Sequence, residues 1–191
     1  AYTLAMCVDH VLRQRKGPIV TNCSTSRMSQ DLAERYGVGC RRSAVGEANV
    51  VDAMLETDAV FGGEGNGGPI EPRVGFVRDS FVGMALVLDA MAARKAKVSE
   101  LAAELPRYEI FKRKVSLPAE KMPAAFDALE KHFSDAQASR LDGLRLDWPD
   151  QWLLIRGSNT EPIARVISEA KSQDMAIRKS LETIKILAGL H

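Results

Sequence analysis

The sequence predicts an α/β protein: a three-layer α/β/α domain with a mixed sheet, followed by a small α+β domain with an antiparallel sheet and two helices. Three observations carry this. Helical stripes alternate with short apolar, partly β-branched runs up to about Leu105. From Tyr108 onward the texture changes to extended segments, one hairpin pattern and two amphipathic stretches. The chain of 191 residues is 46% apolar and 27% charged, enough for a real core and unlike a disordered segment. The domain division that follows is 1–105 and 106–191.

Taken in order, Leu4, Val8, Val11 and Leu12 recur at helical spacing and are expected to face a sheet. Gly17-Pro18 breaks the pattern before Ile19, Val20 and Thr21, which suit a buried strand. A polar turn over Ser24–Ser29 leads to a helix marked by Met28, Leu32 and Tyr36 that stops at Gly37. Asn49 is placed to cap a helix containing Val50, Met54 and Leu55. Ala59, Val60 and Phe61 form the next strand and enter a glycine-rich loop. Asp79 or Ser80 caps a long helix whose Phe81, Met84, Ala85, Leu88 and Met91 make an apolar stripe, and a shorter helix begins at Ser99.

In the second half, Tyr108–Leu117 reads as a strand closed by Pro118. Met122, Ala125, Phe126, Leu129 and Phe133 mark a helix. Leu144, Leu146 and Trp148 alternate with charged residues and turn at Pro149-Asp150 into Trp152–Ile155. Ile163–Ile167 is extended, and Ile177, Leu181, Ile184, Leu187 and Ala188 lie along a terminal helix.

Lys plus Arg number 26 against 25 Asp plus Glu, so the net charge of +1 lacks the global signature of a nonspecific nucleic-acid binder. The Lys112-Arg113-Lys114 run reads as a solvated strand face rather than an RNA contact. No apolar run is long enough for a membrane helix. Residues Ala1–His10 do not resemble a secretory leader, and the absence of an initiator methionine suggests a processed chain or a piece of a longer one. Cys7, Cys23 and Cys40 contain no Cys-x-x-Cys pair, which fits buried thiols in a cytoplasmic protein; with His10 their spacing supports a zinc site poorly.

The strongest chemical signal is Arg156-Gly157-Ser158-Asn159-Thr160-Glu161-Pro162 with a later Arg165. A phosphate monoester is a dianion ringed by acceptors, and binding it takes guanidinium forks, hydroxyls and backbone N–H groups. Arg156 and Arg165 supply the charge, Ser158 and Thr160 the hydroxyls, and the turn around Asn159 the backbone donors. Glu161 is expected to turn away, because an unpaired carboxylate would repel phosphate. The second signal is Gly62-Gly63-Glu64-Gly65-Asn66-Gly67-Gly68-Pro69. It lacks the Gly-Lys-Ser/Thr ending of a P-loop. Glu64 offers acceptors for sugar hydroxyls, and Asn66 both donates and accepts. Arg78-Asp79 reads as an ion pair or helix start nearby.

These two loops, in this order, resemble the C-terminal half of the α-D-phosphohexomutase superfamily, which includes phosphomannomutase, phosphoglucomutase and phosphoglucosamine mutase. Gly63-Glu64-Gly65-Asn66-Gly67-Gly68 is similar to its sugar loop, Arg156 to Pro162 with Arg165 to its phosphate loop, and Asp142-Gly143 to a feature before its last hairpin. Asn66 and Gly68 stand where the common bacterial form has Ser and His, and Ser80 where relatives often have Gly.

The resemblance implies domains three and four of a four-domain enzyme, the last of them TATA-box-binding-protein-like. Such an enzyme interconverts hexose 1-phosphate and 6-phosphate through a phosphoserine and a bisphosphorylated sugar, with Mg2+ held by an upstream domain. It implies substrate contacts at Glu64, Asn66, Arg156, Ser158, Asn159, Thr160 and Arg165, and a hinge around Leu105 to Tyr108. Neither a phosphoserine loop nor an Asp-rich metal loop occurs in the chain, so the polypeptide alone is expected to be inactive and to act with N-terminal domains. The competing expectation is a noncatalytic sugar-phosphate-binding or regulatory module.

Overall fold

The computed structural model describes residues 1–66, 68–158 and 162–189. The chain divides into two compact units, Ala1–Arg107 and Tyr108–His191.

The first unit runs α1 (Tyr2–Gln14), β1 (Ile19–Asn22), α2 (Met28–Tyr36), β2 (Cys40–Ser43), α3 (Glu47–Thr57), β3 (Phe61–Glu64), β4 (Gly68–Ile70), α4 (Ser80–Arg94) and α5 (Val98–Ala103). Its sheet has the order β2-β1-β3-β4. β1 lies parallel to both β2 and β3, and β4 runs antiparallel to β3, so the sheet is mixed. Helices cover both faces: a Cβ at Gly62 would strike Met54 of α3, and one at neighbouring Gly63 would strike Leu4 of α1. Val20, Val50, Ala53, Met54 and Ile70 form the core on the α3 side. Each of the Val, Ile and Met side chains, fully buried, stabilises the fold by about 1.5–3 kcal/mol.

Several sequence expectations change here. Asn49 lies inside α3 and donates to the Val45 carbonyl (3.0 Å), while Gly46, at φ 126°, takes the cap position. α4 starts at the expected cap, Asp79, whose carboxylate accepts from the Phe81 and Val82 amides. Its apolar stripe nevertheless points outward, with Phe81 80% and Leu88 63% exposed. The helix buries its small residues, Gly83 and Ala90, because it packs closely on α1. β2 was not anticipated: Cys-Arg-Arg-Ser has no apolar run, and only pairing with β1 makes it a strand.

The second unit runs β5 (Glu109–Ser116), a 3₁₀ turn at Ala119–Lys121, α6 (Met122–His132), β6 (Gln137–Ser139), β7 (Leu144–Asp147), β8 (Trp152–Gly157), β9 (Ile163–Ala170) and α7 (Gln173–Ala188). The sheet is antiparallel throughout, in the order β5-β9-β8-β7-β6. The core joins Leu144, Leu146, Leu153, Ile155, Ala164 and Val166 to Ala125 and Leu129 of α6 and Leu187 of α7. α7 buries a column of small and polar residues, Ala176, Ser180 and Thr183 with Leu187, while Leu181 of the expected apolar stripe is exposed. Thr183 settles its hydroxyl on the Lys179 carbonyl (2.8 Å), which lets it be buried without an unmet donor.

None of the three cysteines is in a disulfide; Cys7 and Cys23 are buried and Cys40 half-buried. Burial pushes the Cys7 thiol up to about 12, far from a reactive thiolate. No helix among the described residues is long and apolar enough to cross a membrane.

Candidate functional site

The glycine-rich segment is a tight hairpin. Glu64 ends β3 and stands directly opposite Gly68 of β4. Asn66 is exposed at the turn. Because β1 and β3 are parallel and in register through Thr21 and Gly63, Asn22 and Glu64 both emerge at strand carboxyl ends, where open α/β sheets commonly receive ligands.

Glu64 is only 3% exposed. Its Oε1 accepts from Asn22 Nδ2 (2.6 Å) and from the Gly46 amide (3.2 Å). Its Oε2 pairs with Arg78 Nη1 at 2.9 Å. A carboxylate offers about four acceptor positions, so these partners fix the group in place and leave one position for a further donor. Asn22 is held in turn: its Oδ1 accepts from the Ser24 amide (3.1 Å), the Ser24 hydroxyl (3.0 Å) and the Thr25 hydroxyl (2.8 Å). Thr25 Oγ1 also accepts from the Gly65 amide at 2.9 Å. The polar turn after β1 is thereby tied to the hairpin tip.

Arg78 also reaches Glu47 at the start of α3, with Nε 2.7 Å from Oε2. The Arg78 side-chain bond, followed by a bond from the Arg78 backbone, holds the Glu47 carboxyl below its ordinary value. The bond to Glu47 likewise raises the Arg78 guanidinium, with the Glu64 charge adding to it.

The second candidate site lies at the β8–β9 connection. Arg156 and Arg165 stand directly opposite each other on adjacent strands, and Lys114 of β5 stands opposite Arg165. The neighbouring row, Val115, Ala164 and Gly157, faces the helices: Ala164 belongs to the core, and Met122 of α6 lies 3.7 Å from where a Gly157 Cβ would be. Side chains alternate along strands, so the three cations share the opposite face. Like charges directly opposite one another destabilise a sheet, and an anion bound there would relieve this.

Asp142 accepts from Arg156 Nε at 2.8 Å and orients the guanidinium from one edge. This depends on Gly143, whose φ is 79° and where a Cβ would lie 2.2 Å from the Ile155 carbonyl. The loop is closed by the Ser158 amide donating to the Ile163 carbonyl (2.9 Å). Asn159, Thr160 and Glu161 lie outside the described residues.

The sequence reading thus gathers Glu64 and Asn66 on one hairpin and Arg156, Ser158 and Arg165 around one strand connection. It missed Asn22 and Thr25, whose signal was a polar residue ending a buried strand. It missed Gly46, whose signal was a glycine before a helix. Lys112, Arg113 and Lys114 are exposed on β5, as expected of a solvated strand face; the register of Lys114 opposite Arg165 is what nothing local reveals. His10 pairs with Asp89 (2.7 Å) and His132 with Glu182 (2.9 Å), and neither belongs to these sites. Among the described residues no group of three or more His, Cys, Asp or Glu could hold a metal ion.

Comparison with known proteins follows this division. The family model described as phosphoglucomutase/phosphomannomutase, alpha/beta/alpha domain III, matches residues 1–108, and that of the C-terminal domain matches 112–182. A phosphoglucomutase/phosphomannomutase of Thermococcus kodakarensis is 37% identical over 190 residues, which cover 97% of this chain and 41% of that protein. A phosphoglucosamine/phosphogalactosamine mutase of Sulfurisphaera tokodaii is 31% identical over 174 residues, 90% of this chain and 38% of that one. The chain therefore spans about two fifths of the length of these relatives.

Two crystal structures share the fold. A phosphoglucomutase/phosphomannomutase family protein of Burkholderia thailandensis gives a TM-score of 0.81 at 24% identity, covering 99% of this chain and 41% of that one. The N-acetylphosphoglucosamine mutase of Aspergillus fumigatus, in complex with GlcNAc-6P and magnesium, gives 0.68 at 15% identity, covering 99% and 43%.

Proposed function

We propose, from the premise that this chain belongs to the phosphoglucomutase/phosphomannomutase family as its domains III and IV, that it is the substrate-binding part of a hexose-phosphate mutase. The whole enzyme is an isomerase that interconverts hexose 1-phosphate and 6-phosphate through a phosphoserine and a bisphosphorylated sugar. The first unit takes the hexose: Glu64 accepts from its hydroxyls and Asn66 supports that contact. The second takes the phosphate that is not reacting: Arg156 and Arg165 supply charge, and Ser158, Asn159 and Thr160 supply neutral donors.

The observation that carries this reading is the direct opposition of Arg156 and Arg165 across β8 and β9, with Lys114 completing the row. In a chain of net charge +1, a cross-strand row of cations is a local feature that fits a dianion. Magnesium does not fit the described residues, which lack a carboxylate cluster. In this reading the ion and the phosphoserine belong to N-terminal domains of a cytoplasmic enzyme, and this polypeptide alone is inactive. Magnesium-dependent turnover by the purified chain would contradict that.

The direct test is calorimetric titration of the chain with glucose 1-phosphate and mannose 1-phosphate. A charge-assisted hydrogen bond contributes about 1.5–3 kcal/mol, so Arg156→Ala and Arg165→Ala should each weaken binding by about tenfold or more. Unchanged affinity in both variants would overturn the assignment.

A further inference from the structure

We propose that Arg78 reads the hexose hydroxyls beside Glu64, through a slot that Gly68 leaves open; this rests on the hexose-phosphate reading above. Gly68 faces Glu64 across the hairpin, and a Cβ there would lie 2.3 Å from Arg78 Cδ and 2.7 Å from Cγ. The space of a side chain at 68 is therefore filled by the Arg78 stem, arriving from the segment before α4. The loop has exchanged a side chain of its own for a guanidinium supplied by another element.

That guanidinium is held from two sides, by Glu64 at Nη1 (2.9 Å) and by Glu47 at Nε (2.7 Å). It is also the accessible part of the arrangement. The Arg78 side chain is 39% exposed and that of Glu64 4%. A ligand approaching the hairpin meets Arg78 before it meets the buried carboxylate. The Glu64 end of this pair is buried, so Arg78 offsets a carboxylate that would be costly alone, while the exposed part of its guanidinium keeps N–H donors within reach of a ligand.

Charge decides the ligand chemistry. Two carboxylates around one guanidinium sum to −1, which repels a phosphate dianion, whereas the remaining N–H donors and carboxylate acceptors match neutral hydroxyl groups. Glu47 and Arg78 are both charged at neutral pH, and their mutual bond shifts each further in that direction. Arg78 thus discriminates a hexose phosphate from bare phosphate without adding to the grip on the anion.

The test is an NMR titration of the full chain with glucose 1-phosphate and, separately, inorganic phosphate. The wild-type chain should prefer glucose 1-phosphate; no preference would overturn the functional reading itself. Given that preference, Arg78→Ala should lower glucose 1-phosphate affinity by about tenfold and leave inorganic phosphate within about twofold. A preference undiminished in Arg78→Ala would overturn the Arg78 assignment alone. Gly68→Ala keeps every charge but crowds the stem, and Arg78→Lys keeps the charge but cannot bond both carboxylates through separate nitrogens. Each should reduce the preference by about threefold. If Arg78→Ala does not fold, these two variants decide, and an unchanged preference in both overturns the proposal.

Discussion

The two candidate sites solve opposite electrostatic problems. At the first unit's hairpin, every charge has a partner: Glu64 is buried among Asn22, the Gly46 amide and Arg78, and Arg78 is shared with Glu47. At the second unit's strand connection, Lys114, Arg165 and Arg156 stand in one cross-strand row, and Asp142 accepts from Arg156 Nε. A compensated site built from fixed donors and acceptors suits neutral hydroxyl groups, whose recognition depends on geometry. A row of like charges suits a dianion, whose recognition depends on charge.

If that contrast is right, the largest losses come from the cationic row, where Arg156→Ala and Arg165→Ala should each cost about tenfold or more toward any phosphorylated ligand. The selective loss in Arg78→Ala, confined to ligands that carry a hexose, would sharpen the contrast from the other side. Asp142→Asn keeps the volume but removes the charge that orients Arg156. Titration with inorganic phosphate should show a loss of about threefold, because the guanidinium remains but is no longer held. Lys114→Ala should cost about twofold to threefold and flatten the dependence of phosphate binding on salt, since an exposed charge is screened.

The smallest effect concerns pH. Glu47 has a folded-state pKa below the ordinary glutamate value of 4.5, so its pairing with Arg78 stabilises the fold above that pH. That contribution is lost as pH falls through the lower folded value. Urea denaturation at neutral pH and in mild acid should show a shallow fall below about pH 4.5 that is absent in Glu47→Gln. A fall of equal size in Glu47→Gln would assign it to other carboxylates.

Much of the architecture was legible because it depends on local signals. Ile19–Asn22 is a strand for its β-branched run, α2 ends at a left-handed Gly37, and Asp79 caps α4 as its position suggested. What was not legible depends on partners distant in sequence. β2 is a strand only because β1 lies beside it. The apolar stripe of α4 pointed to burial of Phe81 and Leu88, yet close packing against α1 selects the opposite face with Gly83 and Ala90. Helical period gives the number of faces, not which one is covered.

The same holds for the sites. The residue types that bind phosphate announced themselves within ten positions, from Arg156 to Arg165. The third cation did not, since Lys114 meets Arg165 only through the β5–β9 register. Likewise Glu64 was recognisable as an acid among glycines. That it is buried, and that Arg78 stands in front of it, follows from a side chain crossing above Gly68, which no motif encodes.

The contrast between the two sites is tested most directly by following backbone amide shifts of the whole chain while adding inorganic phosphate and then glucose 1-phosphate. Phosphate alone should move the amides of Arg156, Ser158 and Arg165 and leave Gly65 and Arg78 unmoved, whereas the sugar phosphate should move both sets. Phosphate shifting the Gly65–Arg78 hairpin, or glucose 1-phosphate leaving Arg156 and Arg165 unperturbed, would contradict the account.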